Sequence, residues 1–363
     1  MLIESSGISE PMQVSETFFV DLGDGKGRLQ EQSRLDNCVT VVDASALRLH
    51  LQTDDDMKFI DPRAQGKEAE QHISSLLIDQ IEFANVILLN KVDNILPGAS
   101  KKKREEEINV LTGLIRTINK AAKIIPTQHC DVDVIHILNT NNFSLEFANG
   151  KNRWMEDIRT GVKHVPETLE YGVSSFVYKA TRALHPQRFY DWITRYFIFA
   201  KGHAEGQPAG PMEGGPLLVD ESREQVTKRR AARIAKYGDL YRCKGFVYLG
   251  NPCRVHFYAF ISQSGNTFTL SQGSFWDDFP VPASGESCSQ EEGQQLVFIG
   301  QNLKKDALQA DLEACLLTKK EEKQLAAALK KDLWGPHVFP DPLPLFELPP
   351  ESEGDNEEDE EGS

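Results

Sequence analysis

Apolar positions follow two different patterns over the first 130 residues. Three short runs of consecutive apolar residues predict strands, and the longer stretches between them carry apolar residues at helical spacing. The predicted strands are Cys38–Asp43, Val86–Asn90 and Lys123–Pro126, and the predicted helices run from Glu68 to Ala84 and from Glu105 to Ala122. Continuous rather than alternating apolar runs indicate strands buried on both faces of a parallel sheet. Alternating strands and helices predict an α/β domain over residues 1–150.

The pattern changes after a predicted linker at 151–170. A largely antiparallel sheet with helices beside it predicts a smaller α+β domain over 171–318, with flexible insertions at 201–219 and 280–294. Its predicted strands are Tyr171–Lys179, Gly245–Leu249, Arg254–Ile261, Thr267–Leu270 and Leu296–Ile299, and its predicted helices are 185–197, 220–237 and 304–316. The aromatic stripe from Phe189 to Phe197 is interpreted as core. A helix and a proline-rich extension follow at 319–350.

The formal charge of −15 is concentrated at the end of the chain. Residues 351–363 hold eight acidic side chains and no basic one, which leaves −7 for the rest and predicts a disordered acidic tail. A nucleic-acid partner needs a concentrated basic face. The two basic runs, Lys101–Arg104 and Lys228–Arg230, are interpreted as solvated helix faces. No run approaches the roughly 18 apolar residues of a membrane helix, so neither nucleic acid nor a membrane is an expected partner.

Six cysteines lie far apart, without a C-x-x-C pair or a cluster at zinc spacing. No secretory signal opens the sequence. Reduced thiols in a cytoplasmic compartment are therefore expected, although an organellar targeting segment in a missing N-terminus stays open. A homo-oligomer stays open as well.

The motif Asn90-Lys91-Val92-Asp93 directly follows a predicted strand and has the residue types that select guanine. A carboxylate at Asp93 can accept hydrogen bonds from the ring N–H and the exocyclic amine of guanine, a pair of donors that adenine lacks. The Asn90 amide can bond the other edge of the base, while the Lys91 stem packs against the ring. Such a site rejects bases that leave its polar groups unpaired. The alternative is a polar turn with Asn94 as a helix cap.

A second motif, Glu4-Ser5-Ser6-Gly7, suits the phosphate side of a nucleotide site. The Glu4 carboxylate, leaving a short strand, can hold a water on Mg²⁺, and Gly7 lets a terminal phosphate approach the backbone. Asp43 and Thr127, at the ends of the neighbouring predicted strands, are candidate supporting and guanine-side residues. His72 could face a metal, but the favoured interpretation is a histidine on the surface of a helix.

The phosphate-cradling pattern G-x-x-x-x-G-K-[ST] does not occur in the 363 residues. Gly23–Gly27 imitates it, but no serine or threonine follows Lys26, and we interpret it as a turn. An oxidoreductase is not expected either, because a glycine-rich dinucleotide fingerprint is missing too.

The ordered motifs resemble the CobW family of P-loop GTPases. The matching pieces, in chain order, are Glu4–Gly7 with Pro11, Arg34–Asp36 with Thr40–Ala44, Gln80-Ile81 with Asn90–Asp93, Tyr171–Tyr178, His185–Phe189, Arg242–Phe246, Leu296–Gly300, Cys315–Thr318 and Asp341-Pro342. The resemblance implies a P-loop GTPase-like parallel sheet, here lacking its P-loop strand, followed by a CobW C-terminal α+β domain.

The resemblance also implies a function. GTP and Mg²⁺ would bind at the strand ends, with Glu4 and Gly7 on the catalytic side. Hydrolysis would gate the delivery of Zn²⁺ or Co²⁺ to a client metalloprotein through the second domain. The family's P-loop and C-x-C-C metal motif precede the part matched here, so we expect a truncated sequence that binds GTP weakly. A non-enzymatic, client-binding adaptor with a degenerate G domain is the alternative.

Overall fold

A computed structural model describes residues 2–5, 15, 18–19, 29–31, 33–52, 73–143, 172–201, 223–276 and 293–344. The described helices and strands are, in chain order, β1 (Val39–Asp43), α1 (Leu47–Gln52), α2 (Ile73–Phe83), β2 (Val86–Asn90), α3 (Lys101–Ile118), β3 (Lys123–Pro126), β4 (Val173–Ala180), α4 (Pro186–Tyr196), β5 (Ile198–Lys201), α5 (Arg223–Tyr237), β6 (Asp239–Val247), β7 (Phe257–Ser264), β8 (Thr267–Phe275), β9 (Gln294–Gln301), α6 (Lys305–Cys315) and α7 (Lys319–Leu329).

The first three strands form a parallel sheet in the order β1-β2-β3. Asp43 lies in register with Asn90, and Leu89 with Pro126. The predicted strands and their parallel pairing are confirmed. Burial on both faces holds only for β2, every residue of which is buried. It is wrong for β1, whose Val41 is 55% exposed, because this strand lies at the edge of the three described strands.

The helices of this part begin and end at places that differ from the predicted ones. α3 starts at Lys101, four residues before the predicted start, because the Ser100 hydroxyl caps it by accepting from the Lys103 N–H. The basic run is therefore the exposed first turn of a helix, and Lys101 pairs with Glu105 one turn on. The predicted start of α2 at Glu68 lies outside the described residues. Residues 2–5 form no strand, so the short strand expected to end at Glu4 is wrong.

The second part of the chain contains a six-stranded sheet in the order β4-β9-β6-β7-β8-β5. All its pairs are antiparallel except β5 with β8, which confirms the predicted α+β character. The aromatic stripe of α4 lies in the main core with residues of α5 and α6, as predicted. β6 begins at Asp239 and not at the predicted Gly245, β7 begins at Phe257 and not at Arg254, and β8 continues to Phe275. The predicted insertions lie almost wholly outside the described residues.

The two parts share a core. Val173 of β4 and Tyr241 of β6 are buried in the same cluster as Ile78 of α2, Leu89 of β2 and Leu114 of α3. The predicted boundaries near residues 150 and 171 stay predictions. No described helix is long and apolar enough to span a membrane. The five described cysteines are free thiols.

Candidate functional site

The carboxyl ends of the three parallel strands bring four of the predicted site residues to one edge of the sheet. Asp43 ends β1, Asn90 ends β2 with Lys91 directly after it, and Thr127 follows β3. Since parallel strands present their carboxyl ends on the same edge, the register alone places these groups side by side. We call this set the strand-end edge. It is where ligands bind in sheets of this type.

Asn90 uses one side of its carboxamide to hold the loop after β3. Its Oδ1 atom accepts from the Cys130 backbone N–H at 2.9 Å and from the Thr127 hydroxyl at 3.2 Å. The Thr127 N–H donates in turn to the Leu89 carbonyl at 2.9 Å. The side chains of Asn90 and Thr127 are both buried. The Asn90 Nδ2 group donates no hydrogen bond within the described part of the chain, so it is available to a ligand.

Lys91 is held by Asp43 across the edge. Its backbone is left-handed, with φ of 60°, and its Nζ atom donates to Asp43 Oδ2 at 2.7 Å. Partial burial alone would raise the pKa of Asp43, but hydrogen bonds from Lys91 and Ser45 outweigh it and the pKa lies below its usual value. The hydrogen bond to Asp43 likewise raises the pKa of Lys91. Both groups therefore stay charged at neutral pH, and the lysine stem is fixed at the edge.

Asp93 lies in a single 3-10 turn, Val92–Asn94, that follows Lys91. Its carboxylate has neither a hydrogen-bond nor an ion-pair partner among the described side chains and is only partly buried. The turn is fixed to the neighbouring loop, because the Val92 N–H donates to the Thr127 carbonyl at 3.3 Å. Asn94 does not cap the next helix, since Ser100 does. The alternative of a simple capping turn is therefore wrong in that respect.

The phosphate-side residues form no hydrogen bond or ion pair with this edge within the described structure. Glu4 is exposed in an irregular segment and forms no hydrogen bond or ion pair with another described residue. Gly7, His72 and the turn at Gly23–Gly27 lie outside the described residues. Within the described ranges, no three His, Cys, Asp or Glu side chains are arranged to hold a metal ion.

One contributor to the edge was missed by sequence reasoning. Cys130 takes part through its backbone N–H, which any residue except proline supplies, so its side chain carries no signal. His129 and Cys130 both have left-handed backbone, with φ of 53° and 56°. Two consecutive non-glycine residues in this region are unusual, and the hydrogen bond to Asn90 helps to hold them there.

Comparison with protein families agrees with this geometry. Residues 1–125 match the CobW/HypB/UreG nucleotide-binding domain, and residues 219–316 match the cobalamin synthesis protein CobW C-terminal domain. The chain belongs to the CobW family. The resemblance expected from the ordered motifs is thus confirmed, and the strand-end edge lies within or directly after the matched nucleotide-binding domain.

Individual relatives are more distant. The zinc-regulated GTPase metalloprotein activator 1 of Dictyostelium discoideum is 29% identical over 361 residues, which is 96% of this chain and 64% of that protein. The chain thus spans a little under two thirds of that relative's length. The Zn(II)-bound YjiA GTPase of E. coli and its triple mutant are each 16% identical, covering 85% of this chain and 69% of theirs, at TM-scores of 0.29 and 0.30. Such low TM-scores add nothing to the fold described above.

Proposed function

We propose that this CobW-family chain binds the guanine base of GTP at the strand-end edge. The observation that carries the proposal is the set of hydrogen-bonding groups that Asn90 and Asp93 present at this edge. Among the described residues, Asn90 commits its oxygen to the protein and keeps a donor free, while Asp93 keeps a carboxylate free. Guanine offers the complementary pattern, because its N7 accepts and its N1–H and exocyclic amine donate. Lys91, fixed by Asp43, would lie against the ring, and Thr127 would line the guanine side.

The phosphate half of the site is proposed from the family resemblance. Glu4 would act on Mg²⁺ through a water, and Gly7 would lie near the terminal phosphate. The described residues contain no group of three His, Cys, Asp or Glu side chains that could hold the ion. For these 363 residues we expect weak GTP binding, because the P-loop pattern whose backbone N–H groups cradle the phosphates does not occur in them.

The physiological role that we propose is metal delivery. The D. discoideum relative is named a zinc-regulated GTPase metalloprotein activator, which supports Zn²⁺ as the cargo and a metalloprotein as the client. Co²⁺ is the second candidate cargo. The CobW C-terminal domain would contact the client, while the nucleotide state would gate the transfer.

Replacing Asp93 tests guanine recognition directly. Asp93→Asn exchanges two acceptors for one acceptor and one donor, which complements xanthine, whose C2 carries an oxygen. We expect native protein to prefer GDP over ADP and XDP in calorimetric titrations, and D93N to prefer XDP. An unpaired polar group costs about 1–3 kcal/mol, so the preference should change by about fivefold or more.

The matched control is Asp131→Asn, which removes the same charge from an exposed position in the loop after β3. D131N should keep the native preference for GDP. Equal binding of GDP and ADP by the native protein, or a D93N variant that still prefers GDP, would contradict guanine recognition by Asp93.

A further inference from the structure

A buried arginine of the second part of the chain reaches into the first. Arg242 lies on β6, and only 3% of its side chain is exposed. Its Nε atom donates to Glu82 Oε1 at 3.2 Å, and its Nη2 atom to Glu82 Oε2 at 3.3 Å and to Asp79 Oδ1 at 3.4 Å. The Nη1 atom donates to the hydroxyls of Ser262 and Ser264. Both carboxylates belong to α2, so one guanidinium joins that helix to the second sheet.

The charges at this junction are matched. Burial would raise the pKa of Glu82, but the nearby cations of Arg242 and Lys244 outweigh it and hold the pKa below its usual value. Lys244 Nζ lies 3.3 Å from Glu82 Oε2. The pair therefore stays ionised, and removing the arginine leaves the half-buried Glu82 carboxylate with Lys244 as a remaining cation.

Glu82 lies at the place from which all three parallel strands start. The Asn119 side chain donates to the carbonyls of Glu82 at 3.2 Å and Ala84 at 2.9 Å. The Asn85 side-chain oxygen accepts from the Cys38 N–H at 2.9 Å. The Asn85 backbone carbonyl accepts from the Lys123 N–H, also at 2.9 Å. We call this set, Glu82, Ala84, Asn85 and Asn119, the strand root. β2 runs from it to Asn90, and β3 runs from it to Thr127.

We propose that Arg242 is a positioning residue for the strand-end edge, because it fixes the strand root from the second part of the chain. This inference rests on the proposed function only in that guanine is taken as the ligand of the edge. Strands are stiff and hydrogen-bonded to each other in register, so a shift at their start displaces their carboxyl ends. Arg242 itself touches no ligand. It acts through α2 and the root.

Hydrogen exchange of the nucleotide-free full chain tests this without any ligand, so it is independent of whether GTP binds. Three amides report on the edge: those of Val92, Thr127 and Cys130, which donate to Thr127, Leu89 and Asn90. In Arg242→Met we expect their exchange to accelerate about tenfold or more relative to native protein, as local opening becomes easier.

The matched control is Arg254→Met. Arg254 is equally buried on the second part of the chain, with 1% of its side chain exposed, and pairs with Asp341 and not with α2. R254M should accelerate exchange at Val338 and Phe339, whose amides donate to Asn251 beside that pair, and leave the three edge reporters within about threefold of native. A general loss of stability would instead accelerate exchange at the edge amides and at Val338 and Phe339 in both variants.

Glu82→Gln provides a milder variant should R242M fail to fold. It keeps the bonds of Arg242 to Asp79 and the serines, and should accelerate the edge reporters by an intermediate factor, while Arg242→Lys should restore part of the native protection. If R242M or E82Q accelerates exchange in α2 while Val92, Thr127 and Cys130 exchange as in R254M, Arg242 is an ordinary packing residue and the inference is wrong.

Discussion

The roles of the oxygen and the nitrogen of the Asn90 carboxamide can be tested separately by mutation. Asn90→Ala removes the acceptor used by Cys130 and Thr127 together with the free Nδ2 donor. Asn90→Asp keeps an acceptor in the same place, because both protein partners are donors, but replaces Nδ2 by an oxygen. The first variant should lose stability and guanine binding, and the second should lose only guanine binding.

The magnitudes follow from the burial of these groups. N90A leaves the Cys130 N–H and the buried Thr127 hydroxyl without their acceptor, which costs about 1–3 kcal/mol of unfolding free energy. In N90D, stronger charge-assisted bonds offset the desolvation of the new carboxylate, so its stability should lie within about 1 kcal/mol of native. An oxygen facing N7 of guanine loses one hydrogen bond and adds repulsion, which predicts at least about tenfold weaker GDP binding.

Urea denaturation of the full chain measures the stability, and calorimetric titration with GDP measures the binding. Thr127→Val is the control, because it removes one of the two donors and retains the shape; it should cost less than N90A. Equal destabilisation by N90D and N90A would show that Oδ1 does not hold the loop. Native GDP affinity in N90D would show that Nδ2 does not contact the base. Either result would refute the inference that the Asn90 oxygen holds the loop while its nitrogen binds guanine.

Two further predictions concern the second part of the chain. Arg188 donates two hydrogen bonds of 2.8 Å to Glu321 and lowers its pKa to about 2. Because the folded pKa lies below the ordinary 4.5, this pair should lose its stabilising effect as the pH falls from about 4.5 towards 2, and urea denaturation of Glu321→Gln should show a smaller loss over that range. Asp341→Leu removes the carboxylate that pairs with the buried Arg254 and should cost about 3–5 kcal/mol, whereas the double variant Arg254→Met/Asp341→Leu should be more stable than D341L alone in the same assay.

The apolar pattern predicted the elements that position the site. β1, β2 and β3 are short apolar runs, and strands of this kind pair in parallel between helices, so their parallel pairing and the place of Asn90 followed from local sequence. The ends of α3 could not be predicted from the apolar pattern. The start depends on Ser100, a cap that precedes a run of charged residues without apolar periodicity. The end depends on Asn119, whose side chain bonds carbonyls of α2 far away along the chain.

Elements that depend on distant pairing were missed for the same reason. β5 follows directly on the amphipathic stripe of α4, and only its pairing with β8 defines it as a strand. α1 is a single short helix in which local periodicity gives no signal. The Arg242 motif was visible in the sequence, but its partners Glu82 and Asp79 belong to another segment, and no local pattern connects them.

Delivery of a metal under nucleotide control requires that the two sites bias one common element. α2 is a candidate for such an element, because it connects the strand-end edge with the second sheet. It leads into β2, which ends at the proposed guanine-selecting motif, and it carries the carboxylates that Arg242 holds from the second sheet. Coupling free energy is reciprocal, so if Arg242 positions the edge as proposed, a nucleotide that orders the edge would also strengthen the junction at Arg242. On that proposal the second sheet would take part in the response to nucleotide through α2.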